Sequence, residues 1–203
     1  MMSHFDNVAR EWDKNTTHIE RSQAIAKALL EAVPLNKKMN ALEYGAGTGL
    51  LSFLLHEHLS QITMMDSSGE MVNVMREKVA HAGLSALKPL AFDLEKDDYP
   101  GQKFDLVFNQ MVMHHVNDVS AVLTKFYSLL NPGGYLAMAD LYKEDGSFHG
   151  PEVKVHWGFE PADLAKELET IGFVNIAHKT CFVLTRENGR SYPIFLITAQ
   201  KRM

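Results

Sequence analysis

Cysteine is almost absent: Cys181 is the one thiol in 203 residues, which excludes an internal disulfide. Its apolar neighbours in CFVL predict a thiol buried inside a strand rather than a nucleophile. No apolar run approaches the roughly 20 residues that span a bilayer, so membrane insertion is not expected. The opening MMSHFDNVAREWDK has no apolar centre of a secretory signal, and the expected location is cytoplasmic. Long Lys/Arg blocks are also missing. With a net charge of -5 the chain has little attraction for a phosphate backbone, so nucleic acid is not an expected partner. What is present, 46% hydrophobic and 22% charged residues, is the composition of an ordinary globular chain whose length suits one domain.

The apolar pattern divides that domain into four stretches. Residues 1–38 carry helical spacing over 5–14 and 18–33, the second with Ile25, Leu29, Leu30 and Val33 before Pro34. Over 39–140, short apolar runs alternate with helical ones: MNALEY, QITMMD, LKPLAF, FDLVFNQ and YLAMAD are the expected strands. Strand followed by helix, repeated, predicts a Rossmann-like parallel sheet with helices on both faces. Residues 141–160 lose the pattern, hold three glycines, and read as a long loop, a candidate substrate cap. Residues 161–203 give a helix starting at Pro161 and two strands, FVNIAHKTCFVLT and PIFLITAQKR, joined through the Asn-Gly of RENGRSY. The expected sheet thus has seven strands, mostly parallel with an antiparallel last strand, behind an N-terminal helical lid.

Three glycines at alternate positions, Gly45, Gly47 and Gly49, fall at the first strand-to-helix turn, where open parallel sheets bind ligands. Their G-x-G-x-G spacing differs from the dinucleotide fingerprint. Glu43, two residues earlier, would repel a pyrophosphate and suit an ammonium group. Asp66 ends the second strand, where a carboxylate can accept both ribose hydroxyls, and Asp93 follows the third. These acids could hold an amino group, a ribose and a purine amine, the polar parts of S-adenosylmethionine.

The motifs ALEYGAGTGLLS, MMDSSGEMV, AFDLE, FDLVFNQMVMHHVND and LNPGGYLAMAD, in this order, resemble those of class I S-adenosylmethionine-dependent methyltransferases, particularly the ubiquinone/menaquinone type acting on small molecules. The resemblance implies S-adenosylmethionine as cofactor. It places Glu43 towards the methionine amino group and Gly45, Ala46 and Gly47 under the methionine moiety. Asp66 would take the ribose, with Ser67 and Met71 beside the adenosine. Asp93 would meet the adenine amine, with the Leu94 backbone nearby, and Asn109 and Gln110 would lie near the sulfonium. Trp12 and Arg21, from the N-terminal lid, are further candidates. The expected partner is a small-molecule methyl acceptor, and the expected state a monomer or homodimer.

Methyl transfer needs alignment of acceptor, methyl and sulfur more than it needs a base. Where a proton must leave, His114 or His115, with His149 or His156 as alternatives, are the candidate bases. The adjacent pair is expected at the start of a helix, where neighbouring residues face apart, so no metal site is expected. Asp105 and Asp118 read as capping residues, and the methionines Met64, Met65, Met111 and Met113 as core filling. An NAD(P)-dependent oxidoreductase is the rival enzyme; its Tyr-x-x-x-Lys pair would be YPGQK, which Pro100 and Gly101 keep from being helical. A non-catalytic S-adenosylmethionine-binding protein is the other rival.

Overall fold

In the computed structural model, residues 6, 8–149, 153–186 and 189–203 are described. Seven strands form one sheet: β1 (Asn40–Tyr44), β2 (Gln61–Asp66), β3 (Leu87–Ala91), β4 (Phe104–Gln110), β5 (Leu130–Leu141), β6 (Phe173–Thr185) and β7 (Ser191–Lys201). Their order is β3-β2-β1-β4-β5-β7-β6. The strands from β3 to β5 are mutually parallel, and β7 runs antiparallel to both β5 and β6. This is the architecture that the alternating pattern predicts. The chain builds outward from β1 to β3, then returns to place β4 on the other side of β1. The crevice at the carboxyl ends of β1 and β4 is therefore the topological switch point, where open sheets of this kind hold ligands.

Strand alternation makes two cores. Ala41 faces the layer that contains Ile25 and Leu29 of α1 (Thr16–Ala32), Leu51 and Leu55 of α2 (Leu50–Leu55), and Val72 and Met75 of α3 (Gly69–Ala82). Leu42 and Tyr44 face the other, with Val122 and Phe126 of α4 (Val119–Leu129) and Leu164 and Leu168 of α5 (Pro161–Ile171). Helices thus cover both faces. Local signals set their ends: the Asn15 side chain accepts from Thr17 N, Ser68 Oγ accepts from Met71 N, and Asp118 Oδ1 accepts from Ala121 N.

The sequence differs from the structure in the first helical stretch. Only Ala9 is buried within Ala9–Lys14, which forms a 3-10 helix rather than an α-helix because it has no apolar stripe to dock. Glu187 and Asn188 of the expected hairpin turn lie outside the described residues, although Thr185 pairs with Ser191 on either side of it. YPGQK is not helical; Tyr99 stacks on Phe104 instead. Cys181 lies within β6, where burial pushes its thiol up to about 11, as expected of a structural thiol.

Phe108, fully buried at the centre of the sheet on β4 between β1 and β5, tests this packing. Phe108→Ala should lower stability by about 3–5 kcal/mol in urea unfolding. A loss below about 1 kcal/mol would show that the two-layer core does not depend on this ring.

Candidate active site

The glycine turn is shaped by what lies against it. Gly45 has φ +64, and a Cβ there would stand 2.3 Å from Val112 Cγ2, so the residue after β1 must lack a side chain. Gly47, at φ +57, presents bare backbone towards Trp12, whose Nε1 is 4.0 Å from the place a Cβ would take. The turn is tied to its neighbour: Ala46 N donates to Met65 O at 3.0 Å, and Gly47 N to Asp66 Oδ2 at 2.7 Å. Asp66 Oδ1 accepts from Ser68 N at 2.8 Å, so one carboxylate joins the glycine turn to the start of α3. Burial pushes the Asp66 carboxyl up from its ordinary value, and these backbone donors hold it back.

Below the turn, Glu43 is wholly buried. Its Oε2 accepts from Ser52 N at 3.2 Å and from Ser52 Oγ, while Oε1 has no partner among the described residues. Burial lifts its carboxyl to about 8, against the pull of the Ser52 hydrogen bonds. Two further buried groups are short of partners among the described residues: both side-chain polar atoms of Asn109 at the end of β4, and Nε of Arg21 on α1. Orphaned buried polar atoms are uncommon in folded proteins and mark places where a ligand or water completes the site. Gln110 Oε1, next to Asn109, accepts from Ser22 Oγ of α1. Met111 follows at φ +53, a left-handed conformation that costs about 1 kcal/mol or more and re-aims the chain out of β4.

Asp93 stands apart from this group. Its Oδ1 accepts from Glu95 N and its Oδ2 from Lys96 Nζ at 2.6 Å. Desolvation works to raise its carboxyl, but the Lys96 hydrogen bond and charge leave it below the usual carboxylate range. The Leu94 carbonyl accepts from Lys125 Nζ at 2.8 Å, and the Leu94 side chain is in the core. Ser67 is exposed and Met71 buried.

The histidines depart furthest from expectation. His114 and His115 lie in a 3-10 turn, Met113–His115, ahead of α4. A tight turn lets neighbours converge where a helix would splay them: their ring centroids are 4.2 Å apart. His114 Nδ1 donates to Asp140 Oδ1 at 2.6 Å, and its Nε2 lies 3.0 Å from His149 Nε2. His149, from the 141–160 stretch, thus meets His114. The His156 ring does not: its Nε2 donates to Val116 O at 2.9 Å, while the backbone N of the residue donates to His114 O. Through the bond to Val116 the ring braces the loop against the end of the 3-10 turn.

Four contributors were missed. Asp140, near the end of β5, follows the same pattern as Asp66, an acid near a strand tip. Asp13, Thr48 and Lys78 form a clamp: Asp13 accepts from Thr48 Oγ1 at 2.5 Å and from Lys78 Nζ at 2.6 Å, and Lys78 also donates to Thr48 O at 2.8 Å. No local signal marked that contact, because its parts are far apart in the chain.

Residues 17–188 match the family described as "Methyltransferase domain". This chain belongs to that methyltransferase family. Its type is class I, with S-adenosylmethionine as the cofactor. The methyltransferase is 34% identical over 142 residues to the uncharacterized methyltransferase C1347.09 of Schizosaccharomyces pombe, covering 62% of this chain and 50% of that one. It is 28% identical over 166 residues to malonyl-[acyl-carrier protein] O-methyltransferase 1 of Ilyobacter polytropus, covering 77% and 61%. The chain therefore spans about half to three fifths of these curated relatives. Among solved structures, phosphoethanolamine N-methyltransferase 2 of Haemonchus contortus with S-adenosyl-L-methionine superposes at a TM-score of 0.74 and 15% identity, over 100% of this chain and 61% of that one. The partner of the Haloferax volcanii Trm112 methyltransferase activator superposes at 0.80 and 19% identity, over 100% of both chains. At these identities the structural likeness concerns the fold alone.

The position of Glu43 predicts a pH dependence. A glutamate that ionises near 4.5 unfolded and near 8 folded keeps its proton longer in the folded state, so stability is lost as pH rises through that window. Glu43→Gln should flatten this loss by an amount on the order of a few kcal/mol. Urea unfolding at pH 5 and pH 8.5 measures it, and parallel profiles for the two proteins would remove the assignment.

Proposed function

We propose that the chain transfers a methyl group from S-adenosylmethionine to a small-molecule acceptor by in-line displacement at the β1/β4 switch point. The observation that carries this reading is the set of orphaned buried polar atoms, Glu43 Oε1, Asn109 Oδ1 and Nδ2, and Arg21 Nε. The site combines these with a glycine turn whose bare backbone is fixed by Asp66. A donor with ammonium, carboxylate and ribose ends suits those groups. In this reading Glu43 takes the ammonium end, directly or through water, and Arg21 the carboxylate. Asp66 keeps lone pairs for the ribose hydroxyls, with Ser67 and Met71 flanking the nucleoside. Gly45, Ala46 and Gly47 leave room for the methionine moiety, and Trp12 closes over them.

Asp93 and Leu94 would meet the adenine, with Asp93 keeping lone pairs beyond those given to Glu95 N and Lys96 Nζ. When bound, the cofactor supplies an activated methyl group, so the protein's work is positioning and exclusion of water. Asn109 and Gln110 border the reacting end. His114, His115 and His149 form the polar wall beyond it, where the acceptor would enter. They are available to hold its nucleophilic atom or receive its proton. The acidic net charge and the NQMV ending of β4 support a small molecule rather than a nucleic acid.

Titration calorimetry with S-adenosylmethionine tests the donor site. Asp66→Ala should weaken binding by roughly 1–3 kcal/mol through loss of charged hydrogen bonds. Unchanged affinity would remove the ribose assignment. Radiolabelled methyl transfer into a metabolite extract tests the chemistry, and binding without any transfer would leave a cofactor-binding protein in its place.

A further inference from the structure

We infer that His114, His115 and His149 form a binding site for one divalent transition-metal ion, open to an oxygen or sulfur donor of an anionic small molecule. Each ring offers a nitrogen, and the three nitrogens lie within 4.8 Å of one another. Two imidazole nitrogens on one tetrahedral zinc ion stand about 3.3 Å apart, given Zn–N bonds of about 2.0–2.1 Å. The 3.0 Å between His114 Nε2 and His149 Nε2 is close to that span. Small ring rotations bring His115 in.

The surroundings supply an independent reason. Histidine ligands characteristically donate their second N–H to a carboxylate, which fixes the ring and makes the ligating nitrogen more basic. Asp140 does this for His114: fully buried, it accepts from Nδ1 at 2.6 Å and from the His114 backbone N at 3.2 Å. Held in that way, His114 turns its Nε2 towards His149. His114 itself is buried, while His115 and His149 are partly exposed. A three-nitrogen donor set suits zinc, copper, iron or nickel, and it leaves at least one coordination position for another ligand.

Charge limits what that ligand is. Arg21 is buried within range of Asp140's charge, so guanidinium and carboxylate offset each other. The three imidazoles are neutral when they ligate. A divalent ion therefore leaves the site positive, and an anionic oxygen or thiolate completes it. That this ligand is the methyl acceptor rests on the methyltransferase reading; the ion site does not.

The test uses the full chain after chelator treatment, titrated with Zn²⁺ by calorimetry and with Co²⁺ by visible absorption. One ion per chain is expected, with the d–d bands of a four- or five-coordinate cobalt site. His149→Ala and His114→Ala should each weaken binding at least tenfold, and Asp140→Asn by about 10–100-fold through the ring it orients. Thermal melting accompanies each variant, and His149→Ala, in a partly exposed loop, is the variant least exposed to misfolding. Absence of saturable binding by the wild-type chain overturns the proposal, and so does unchanged binding by folded His149→Ala. Titration of the same wild-type sample with S-adenosylmethionine separates the two readings: failure there removes the donor site and leaves the metal result intact.

Discussion

The hydrogen bond from the Gly47 amide to the Asp66 carboxylate is the joint on which the site depends. Parallel pairing of β1 with β2 brings Tyr44 opposite Met65, so the turn after β1 emerges beside the tip of β2. Two residues at that tip reach back to the glycine turn: Met65 O accepts from Ala46 N and Asp66 Oδ2 from Gly47 N. The carboxylate does this while linking to Ser68, so the turn and the start of α3 share one anchor. The anchoring charge is partly desolvated, which raises its carboxyl and makes any further donor that reaches it worth more than it would be in water. A ligand hydroxyl is such a donor.

The N-terminal segment is attached by a different kind of force. Its second part, α1, buries Ile25, Ala28 and Leu29 and belongs to the core. Its first part buries little beyond Ala9 and is held by polar contacts: Asp13 with Thr48 and Lys78, Asp6 with Ser68, and Arg10 with Glu77. Ion pairs of that exposure are worth of the order of 1 kcal/mol or less each, and they fade with salt. Such contacts fasten the segment to the glycine turn and to α3 without adding to the apolar core.

The fold was legible in the sequence because each of its devices is local. The period of two in MNALEY and FDLVFNQ, the helix stops at Pro34 and Gly172, and the glycine turn itself all act within a few residues. The positions of Glu43, Asp66 and Asn109 near strand ends were legible for the same reason, since strand tips follow from strand ends. The histidine cluster was only half legible. His114 and His115 are adjacent, but their convergence depends on a 3-10 turn where helical spacing was assumed, and His149 arrives from 34 residues further along a stretch without periodicity. Asp140, Lys78 and Asp13 acquire their roles through contacts that the sheet and lid assemble, which no window of sequence contains. Asp93 had the right place in the pattern, but Lys96, three residues on, engages it.

The far end of the crevice has an electrostatic character that follows from counting donors. Asp140 accepts from His114 N, His114 Nδ1 and Leu141 N, so most of its lone pairs are committed. It tempers Arg21 through charge rather than through a fork of hydrogen bonds. Burial brings the guanidinium down to about 10, far too little to discharge it at neutral pH, so a positive charge with an unpartnered Nε persists inside the protein. Holding such a charge costs several kcal/mol unless something offsets it. Part of that offset comes from Asp140, so the two buried residues share their charges across the end of the crevice.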